Sequence, residues 1–248
     1  MADCPTVAVF RPDDERLAEA VDLLESRGVD PVADPMLAVE PTSETPRMDA
    51  DYVILTSKTG VELAAEADWE PGDATVCAIG PRTADSLRDA GYPVDVVPQA
   101  YTSSGLVAEL EDEVDGARIE VARSDHGSEV LLDGLETAGA YLHETILYRL
   151  VRPEGSGEST ELAADGDLDA VMFTSSLTVE NFLSAADERG VRETALEGLA
   201  EATVGVIGDP TRETAESLGV DVDVVPEDAT FDALAAATLE ETTGDARE

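Results

Sequence analysis

Residues 79–98 read IGPRTADSLRDAGYPVDVVP, and residues 207–226 read IGDPTRETAESLGVDVDVVP. The two segments align without a gap, so matched glycine, threonine, aspartate and proline residues recur at the same spacing. Upstream of them, DYVILTS at 51–57 matches DAVMFTS at 169–175. A repeat of this kind predicts two copies of one supersecondary unit, each with a core of its own.

Strand-like apolar runs alternate with amphipathic helices outside the repeat as well, which indicates parallel sheets with helices on both faces. We expect residues 94–97 and their copy, 222–225, to be strands. We therefore predict an α/β fold of two similar flavodoxin-like domains with parallel sheets, joined by a two-stranded antiparallel linker.

Two segments interrupt the alternation of strands and helices, PMLAVEP at 35–41 and the long run YLHETILYRLV at 141–151. They bracket a middle block of about domain size. We expect residues 1–36 and 151–248 to form a discontinuous first domain and residues 39–146 to form the second. Residues 36–41 and 141–151 would then be the linker strands.

The charge of the chain is unusual: 56 acidic residues against 15 basic ones give a formal net charge of −41, and Lys58 is the single lysine. We interpret this as the surface of a protein from an extremely halophilic organism, because molar salt shortens the Debye length to about 3 Å and screens repulsion between carboxylates. Nucleic acid is disfavoured as a partner, since no basic stripe is present to neutralise phosphates.

Cys4 and Cys77 are too few for a disulfide framework and lie in no zinc-binding pattern, so we expect two buried, reduced thiols and no metal. His126 and His143 have no partner at metal-ligand spacing, and we expect them to be surface or structural residues. The chain opens with acidic rather than basic residues and its apolar runs have strand length. We therefore expect a cytoplasmic protein without membrane contact.

Polar residues recur where the apolar strands end, which in an open parallel sheet is the edge that binds ligands. Each group opens a helix and so offers free backbone N–H groups and the positive end of a helix dipole. A single hydroxyl there is more typical of an N-cap, but its recurrence in both copies favours a site for an anionic small molecule. The candidate binding residues are Arg11, Ser57, Lys58, Gly80, Thr83, Arg123, Ser175, Ser176, Gly208 and Thr211.

Tyr148 lies in the long segment at 141–151, where a phenol can be packed and hydrogen-bonded at once. Taken alone, a tyrosine in such a strand is more often a core aromatic than an acid. No P-loop, G-x-G-x-x-G or G-x-S-x-G pattern occurs, which disfavours nucleotide cofactors and a hydrolase nucleophile.

The order of several short motifs resembles the uroporphyrinogen-III synthase family: VFRP at 9–12, DYVILTS, AIGPRTA at 78–84, LYR at 147–149, DAVMFTSS and the second IGxxT. The resemblance spans residues 7–239. It implies two α/β domains, and a lyase of tetrapyrrole (haem, sirohaem, cobalamin) biosynthesis that closes hydroxymethylbilane to uroporphyrinogen III with ring D inverted, without metal or cofactor.

The resemblance also implies that Tyr148 assists departure of the substrate's hydroxyl. We further expect the protein to be a monomer. Two positions depart from the expected pattern, Asp209 in the second glycine turn and Ser124 shortly after the strand-like run at 118–122. Two other classes stay open: a two-lobed binding or sensor protein for an anionic small molecule, and a synthase-like domain of a transcriptional regulator, for which no helix-turn-helix segment is evident.

Overall fold

The computed structural model describes residues 4–245, which form two compact units. One unit combines the chain up to Ala38 with the chain from Val151 onward, and the other is Val39–Leu150. We call them the split unit and the continuous unit. Each contains a mainly parallel sheet and helices, in agreement with the predicted α/β class.

The described strands are β1 (Thr6–Phe10), β2 (Asp30–Ala33), β3 (Ala38–Pro41), β4 (Tyr52–Leu55), β5 (Thr75–Ala78), β6 (Arg118–Ser124), β7 (Tyr141–Val151), β8 (Ala170–Phe173) and β9 (Thr203–Val206). The described helices are α1 (Glu15–Ser26), α2 (Lys58–Glu66), α3 (Pro81–Asp89), α4 (Ser103–Leu110), α5 (Glu129–Thr137), α6 (Glu158–Asp165), α7 (Ser176–Arg189), α8 (Arg192–Leu199), α9 (Asp209–Ser217) and α10 (Phe231–Asp245).

The sheet of the split unit has the order β2-β1-β8-β9, and that of the continuous unit has the order β3-β7-β6-β4-β5. β1 is parallel to β2 and β8, and β6 is parallel to β7 and β4. The first part of β7, expected only as a linker strand, is therefore paired within the sheet of the continuous unit. β3 lies beside it.

Matched hydrogen bonds show how the two units correspond. The carboxylate of Asp169 accepts a bond from the backbone N–H of Thr6 at 2.7 Å, and that of Asp51 accepts one from Arg118 at 2.9 Å. Strands β8 and β9 thus correspond to β4 and β5, while β1 and β2 correspond to β6 and β7. In the continuous unit β4 and β5 come before β6 and β7 in the chain, whereas in the split unit their counterparts β8 and β9 come after β1 and β2. The two copies are therefore circularly permuted.

Residues 94–97 and 222–225 are not strands, contrary to our expectation. Each makes a single parallel bridge, Cys77 to Val96 and Gly205 to Val224. The reason is the same in both copies: the side chain of Asp95 accepts the hydrogen bond of Val76 N at 2.8 Å, and that of Asp223 accepts Val204 N at 2.8 Å. A carboxylate thereby occupies a donor that a further strand would use.

Each unit has its own aromatic contacts. In the split unit, the buried rings of Phe10, Phe173 and Phe182 lie 4.9–5.7 Å apart between centroids. In the continuous unit, Trp69 packs edge-on against Tyr92 at 5.4 Å, and the Tyr92 hydroxyl donates to the Trp69 carbonyl at 2.7 Å. Since Trp69 is the only tryptophan of the sequence, it reports on the continuous unit alone.

Helices α6 and α8 were not predicted from the sequence. The buried Asp34 fixes the start of α6 by accepting the backbone N–H groups of Gly157 and Ser159 at 2.8 and 3.0 Å. The two helices approach so closely that a Cβ atom on Gly198 would lie 1.7 Å from the carbonyl oxygen of Ala163. Only glycine allows this contact.

The two cysteines differ in burial, which corrects the expectation of two buried thiols. Cys77 is buried in β5, and burial raises the pKa of its thiol to about 12. Cys4 is exposed, and its Sγ donates to the Gly28 carbonyl at 2.8 Å. Of the helices in the described part of the chain, none combines the length and apolar character that a bilayer span requires.

Candidate functional site

The carboxyl ends of β4 and β5 each lead into a helix at the same edge of the continuous unit's sheet. After β4, Ser57 is the N-cap of α2, and its Oγ accepts the backbone N–H of Gly60 at 3.0 Å. After β5, Gly80 is the N-cap of α3, with Pro81 in the first turn and Thr83 buried behind it. These caps leave several N–H groups of both helices without partners in the helix, as at anion-binding helix ends.

A cavity of about 310 Å³ lies at this edge of the continuous unit. Hydroxyl, imidazole and guanidinium groups line it together with a few apolar side chains, which is suitable for a polar ligand with apolar rings. Its lining residues are Thr56, Ser57, Ile79, Ser103, Arg123, Ser124, His126, Gly127, Ser128, Leu131 and Tyr148.

Tyr148 is 6% exposed, and its hydroxyl donates to Ser57 Oγ at 2.9 Å. A bulge positions it: the pairing of β6 with β7 advances from Arg123 opposite Ile146 to Ser124 opposite Tyr148, so one residue of β7 is skipped. Because side chains alternate along a strand, this skip directs Tyr148 to the face it would otherwise turn away from. The bulge thus brings the phenol to Ser57.

Asp125 secures the chain on both sides of this bulge. Its carboxylate accepts the backbone N–H of Leu150 at 3.0 Å and contacts His126 Nδ1 at 2.8 Å, while its own N–H donates to the Tyr148 carbonyl at 3.3 Å. Burial alone would raise the pKa of Asp125, but the hydrogen bonds from His126 and Leu150 lower it overall. The carboxylate form therefore holds Tyr148 in place.

Arg123 is 3% exposed and is already engaged by the protein. Its guanidinium donates to Glu144 at 2.5 Å, to the Ser128 carbonyl at 2.7 Å and to Glu129 at 2.8 Å. A Cβ atom on Gly127 would lie 2.4 Å from its Cδ, so glycine is needed beside it. Arg123 joins β6 to β7 and α5, and three of its N–H groups are in use before any ligand binds.

In the corresponding turns of the split unit, the serine and threonine hydroxyls form hydrogen bonds within and between the two turns. Ser175 is the N-cap of α7 in a reciprocal capping box with Thr178. Ser176 donates to the Pro210 carbonyl at 3.1 Å and so ties the start of α7 to that of α9. Gly208 is the N-cap of α9, with Thr211 buried in its first turn. Asp209, which departs from the family pattern, is paired with Arg212 at 2.9 Å.

The other two predicted cations differ in setting. Arg11 occupies the position in the split unit that Arg123 occupies in the continuous unit, and its guanidinium lies over the Phe231 ring, 4.9 Å from the centroid. Burial, reinforced by nearby Arg16, lowers the pKa of Arg11. Lys58 is exposed and forms an ion pair with Glu62 at 3.2 Å, one helical turn further along α2.

Sequence reasoning missed Glu120, a fully buried carboxylate in the middle of β6. One of its oxygens contacts His143 Nδ1 at 2.7 Å, and the other has no hydrogen-bond partner among the described residues. The signal was present as a glutamate within the apolar run RIEVA at 118–122. Glu120 lies behind a separate cavity of about 140 Å³, away from Tyr148.

Two larger cavities lie elsewhere in the continuous unit. One of about 470 Å³ follows β3 and β7 and includes His143, Glu144 and Arg149, and one of about 510 Å³ lies where α2 and α3 end. Neither contains Tyr148 or a helix N-terminus. Within residues 4–245, no cluster of three or more histidine, cysteine, aspartate or glutamate residues has the geometry to hold a metal ion.

Comparison with known proteins relates the chain to one family. The family model described as "Uroporphyrinogen-III synthase HemD" matches residues 18–236. A protein of Methanothermobacter thermautotrophicus, provisionally named uroporphyrinogen-III synthase, is 36% identical, over 93% of this chain and 96% of its own. The uroporphyrinogen-III synthase of Synechococcus elongatus is 29% identical, over 75% of this chain and 73% of its own.

Solved structures show the same fold. A mutant uroporphyrinogen III synthase from the extreme thermophile Thermus thermophilus matches with a TM-score of 0.71 at 20% identity, covering 98% of this chain and 100% of that one. The uroporphyrinogen-III synthetase of Helicobacter pylori matches with a TM-score of 0.61 at 14% identity, covering 98% of this chain and 99% of that one. The predicted two-domain α/β class is thereby confirmed.

Proposed function

The chain belongs to the uroporphyrinogen-III synthase family, and on that premise we propose that it binds hydroxymethylbilane and closes it, with loss of water and inversion of ring D, to uroporphyrinogen III. It is thus an enzyme of tetrapyrrole biosynthesis, a lyase (EC 4.2.1.75). The observation that carries the assignment to particular residues is the phenol of Tyr148, held against Ser57 in the wall of the 310 Å³ cavity.

Helix N-termini, hydroxyls and a few cations can together hold the substrate's carboxylates. The N-termini of α2 and α3 supply backbone N–H groups at the edge of the sheet where the cavity opens, and helix N-termini stabilise anions through both N–H groups and the helix dipole. We propose that Ser57, Lys58, Gly80 and Thr83 contact carboxylates in this way. The equivalent residues of the split unit, Ser175, Ser176, Gly208 and Thr211, together with Arg11, are proposed to do the same.

From the sequence we expected Arg123 to bind the ligand as a cation, and the role that we propose for it here is different. Since Glu144 and Glu129 neutralise it, its remaining N–H groups can orient a substrate carboxylate but add little net positive charge. Glu144 and Glu129 also hold the guanidinium against β7 and α5. Arg123 therefore braces the wall of the cavity in which Tyr148 lies.

The chemical demand on the protein is small. Departure of the hydroxyl requires a proton donor, and the resulting azafulvene is intrinsically reactive, so most of the acceleration comes from folding the substrate for attack by the inverted ring. A phenol is a weak acid, and we expect a modest contribution from Tyr148. The proposed chemistry involves no cofactor. A two-lobed binding or sensor protein without catalysis receives no support from the comparisons.

Two finer points are also proposals. A cytoplasmic location is supported by the net charge of −41 and the single lysine, which suit a salt-rich cytosol. A monomer is supported by the small number of large apolar side chains that are exposed on the described surface, Val39, Met48, Tyr101, Val130 and Tyr141. Light scattering in molar KCl measures the mass of the particle directly.

The test supplies enzymatically made hydroxymethylbilane to the purified protein in molar KCl and separates the type I and type III porphyrins after oxidation. We expect type III to dominate, whereas spontaneous closure without protein gives type I. Tyr148→Phe should lower kcat by on the order of ten- to a hundredfold, the weak end of general acid catalysis. A folded protein whose product mixture equals the protein-free control would refute the assignment.

A further inference from the structure

Ser57 and Tyr148 both line the 310 Å³ cavity, and their hydroxyls are hydrogen-bonded to each other. The oxygen of Ser57 accepts the phenolic hydrogen of Tyr148 at 2.9 Å and the backbone N–H of Gly60 at 3.0 Å. A serine oxygen has two lone pairs and one hydrogen. Both lone pairs are therefore occupied, and Ser57 can meet a ligand only as a donor.

Nothing else in the described part of the chain takes the hydrogen of Ser57. The hydrogen bonds of its side chain are the two it accepts, and its remaining neighbours across the cavity include Thr56, Ser103 and Ser124. The phenol of Tyr148, by contrast, is buried and gives its only hydrogen to Ser57. Of the two hydroxyls, that of the serine is thus the one whose hydrogen remains available to a ligand in the cavity.

We propose, resting on the synthase function above, that Ser57 is the residue that delivers the proton to the substrate's departing hydroxyl and that Tyr148 acts through it. A hydrogen bond accepted from a phenol polarises the serine and strengthens its own donation, since chains of hydrogen bonds are cooperative. Tyr148 is then a positioning and proton-supplying residue that does not touch the substrate.

Atoms and charge balance in this step. The C–O bond of the hydroxymethyl group breaks, the departing oxygen takes the Ser57 proton and leaves as water, and Ser57 takes the proton of Tyr148. The electron pair of the pyrrole nitrogen stabilises the carbon that is left. Inversion of ring D forms two C–C bonds and breaks one: the carbon that is left bonds to the ring-D carbon that carries the bridge, that bridge bond breaks, and the bridge carbon bonds to the unsubstituted carbon of ring D. The proton lost from that unsubstituted carbon returns through Ser57 to the phenolate.

The permuted copy supports a special role for this pair. Ser175 is the equivalent N-cap in the split unit, and its Oγ accepts the backbone N–H of Thr178 at 3.3 Å. No tyrosine donates to it among the described residues, and its partner is instead the threonine of its own capping box. Capping alone therefore does not require the tyrosine. The β7 bulge and Asp125, which aim Tyr148 at Ser57, belong to the continuous unit only.

The experiment compares kcat and KM for type III formation in Ser57→Ala, Ser57→Thr, Tyr148→Phe and the double variant Ser57→Ala/Tyr148→Phe. If Ser57 delivers the proton, Ser57→Ala lowers kcat at least as much as Tyr148→Phe does, on the order of ten- to a hundredfold, with KM changing less. The double variant should be no slower than Ser57→Ala, since both changes interrupt one path. Ser57→Thr keeps a hydroxyl and should retain most of the rate.

Thr102→Ala is the matched control. Thr102 is the N-cap of α4 and accepts Gly105 N at 3.0 Å, the same capping geometry as Ser57 and Gly60, but among the described residues no tyrosine hydroxyl donates to its side chain. It should lose a helix cap and keep the wild-type kcat. The infrared C–O stretch of Tyr148, isolated by difference against Tyr148→Phe, should shift in Ser57→Ala and stay unchanged in Thr102→Ala.

Three results overturn the proposal while leaving the synthase function intact. In the first, Ser57→Ala keeps the wild-type kcat while Tyr148→Phe loses rate, so the phenol acts directly. In the second, the losses multiply in the double variant. An unshifted infrared band also refutes it, independently of activity. A wild-type protein that makes no type III isomer removes the synthase function, and with it the step assigned to Ser57.

Discussion

Replacing Phe182 by alanine should destabilise the split unit and leave the continuous unit unchanged. Phe182 is fully buried, and its ring contacts those of Phe10 and Phe173 at 5.5 and 5.7 Å. Truncation of a buried phenylalanine costs about 3–5 kcal/mol, from lost burial and the cavity left behind. With a urea m-value of about 2 kcal/mol/M, that loss lowers the unfolding midpoint of the split unit by roughly 2 M.

The assay uses two signals in molar KCl. Trp69 fluorescence follows the continuous unit, because Trp69 packs there against Tyr92, whereas far-ultraviolet circular dichroism follows both units. In Phe182→Ala we expect the dichroism to become biphasic, with a first transition about 2 M lower, while the fluorescence midpoint is unchanged. Leu87→Ala, which removes a fully buried leucine from the core around Trp69, is the matched control and should move the fluorescence midpoint instead.

A fluorescence midpoint that falls as far as the dichroism midpoint in Phe182→Ala contradicts this reasoning. It would mean that the two cores unfold in one cooperative transition, although their apolar clusters are built within separate units.

Two further outcomes are expected. Dialysis from molar to about a tenth molar KCl lengthens the Debye length to roughly 10 Å and restores repulsion within a chain of net charge −41, so circular dichroism should show loss of structure; an unchanged spectrum in low salt counts against a salt-dependent fold. Thiol titration of the native protein should modify Cys4 rapidly and Cys77 only after unfolding. Burial raises the pKa of Cys77 in the folded protein from 9.0 to about 12. The contribution of Cys77 to the free energy of unfolding is therefore complete below pH 9 and is lost as the pH rises from 9 towards 12. Rapid modification of both thiols, or a stability that rises above pH 9, contradicts the burial of Cys77.

Much of the fold followed from the sequence because the repeat and the alternation of apolar strands and helices are local patterns. What the sequence could not give is the pairing of β1 with β8, which depends on contacts between residues some 160 positions apart. For that reason the equivalence of Arg11 and Arg123 was not visible. The error at 94–97 has a local cause, since Asp95 turns its carboxylate to Val76 N where a strand neighbour would pair.

The candidate site was predicted by residue type but not by partnership. Ser57 and Tyr148 were both candidates from the sequence, but their hydrogen bond depends on a bulge in β7 that no residue pattern predicts. Arg123 was expected to be free for a ligand, and Glu129 and Glu144 engage it. In so acidic a chain, a sequence pattern does not show which of the many carboxylates pairs with a given arginine. It also does not show which residues distant in sequence are in contact.

The permuted order of the strands also governs how the protein is made. During synthesis β1 and β2 emerge before the other described strands, but β8, which pairs with the free side of β1, follows roughly 160 residues after β1. At about 5–20 residues per second, that interval is about 8–32 s. The continuous unit emerges whole within it and can fold on the ribosome, while the early strands wait with an open edge. The nascent chain of this protein thus exposes its first strands for longer than a tandem arrangement of the same two units would.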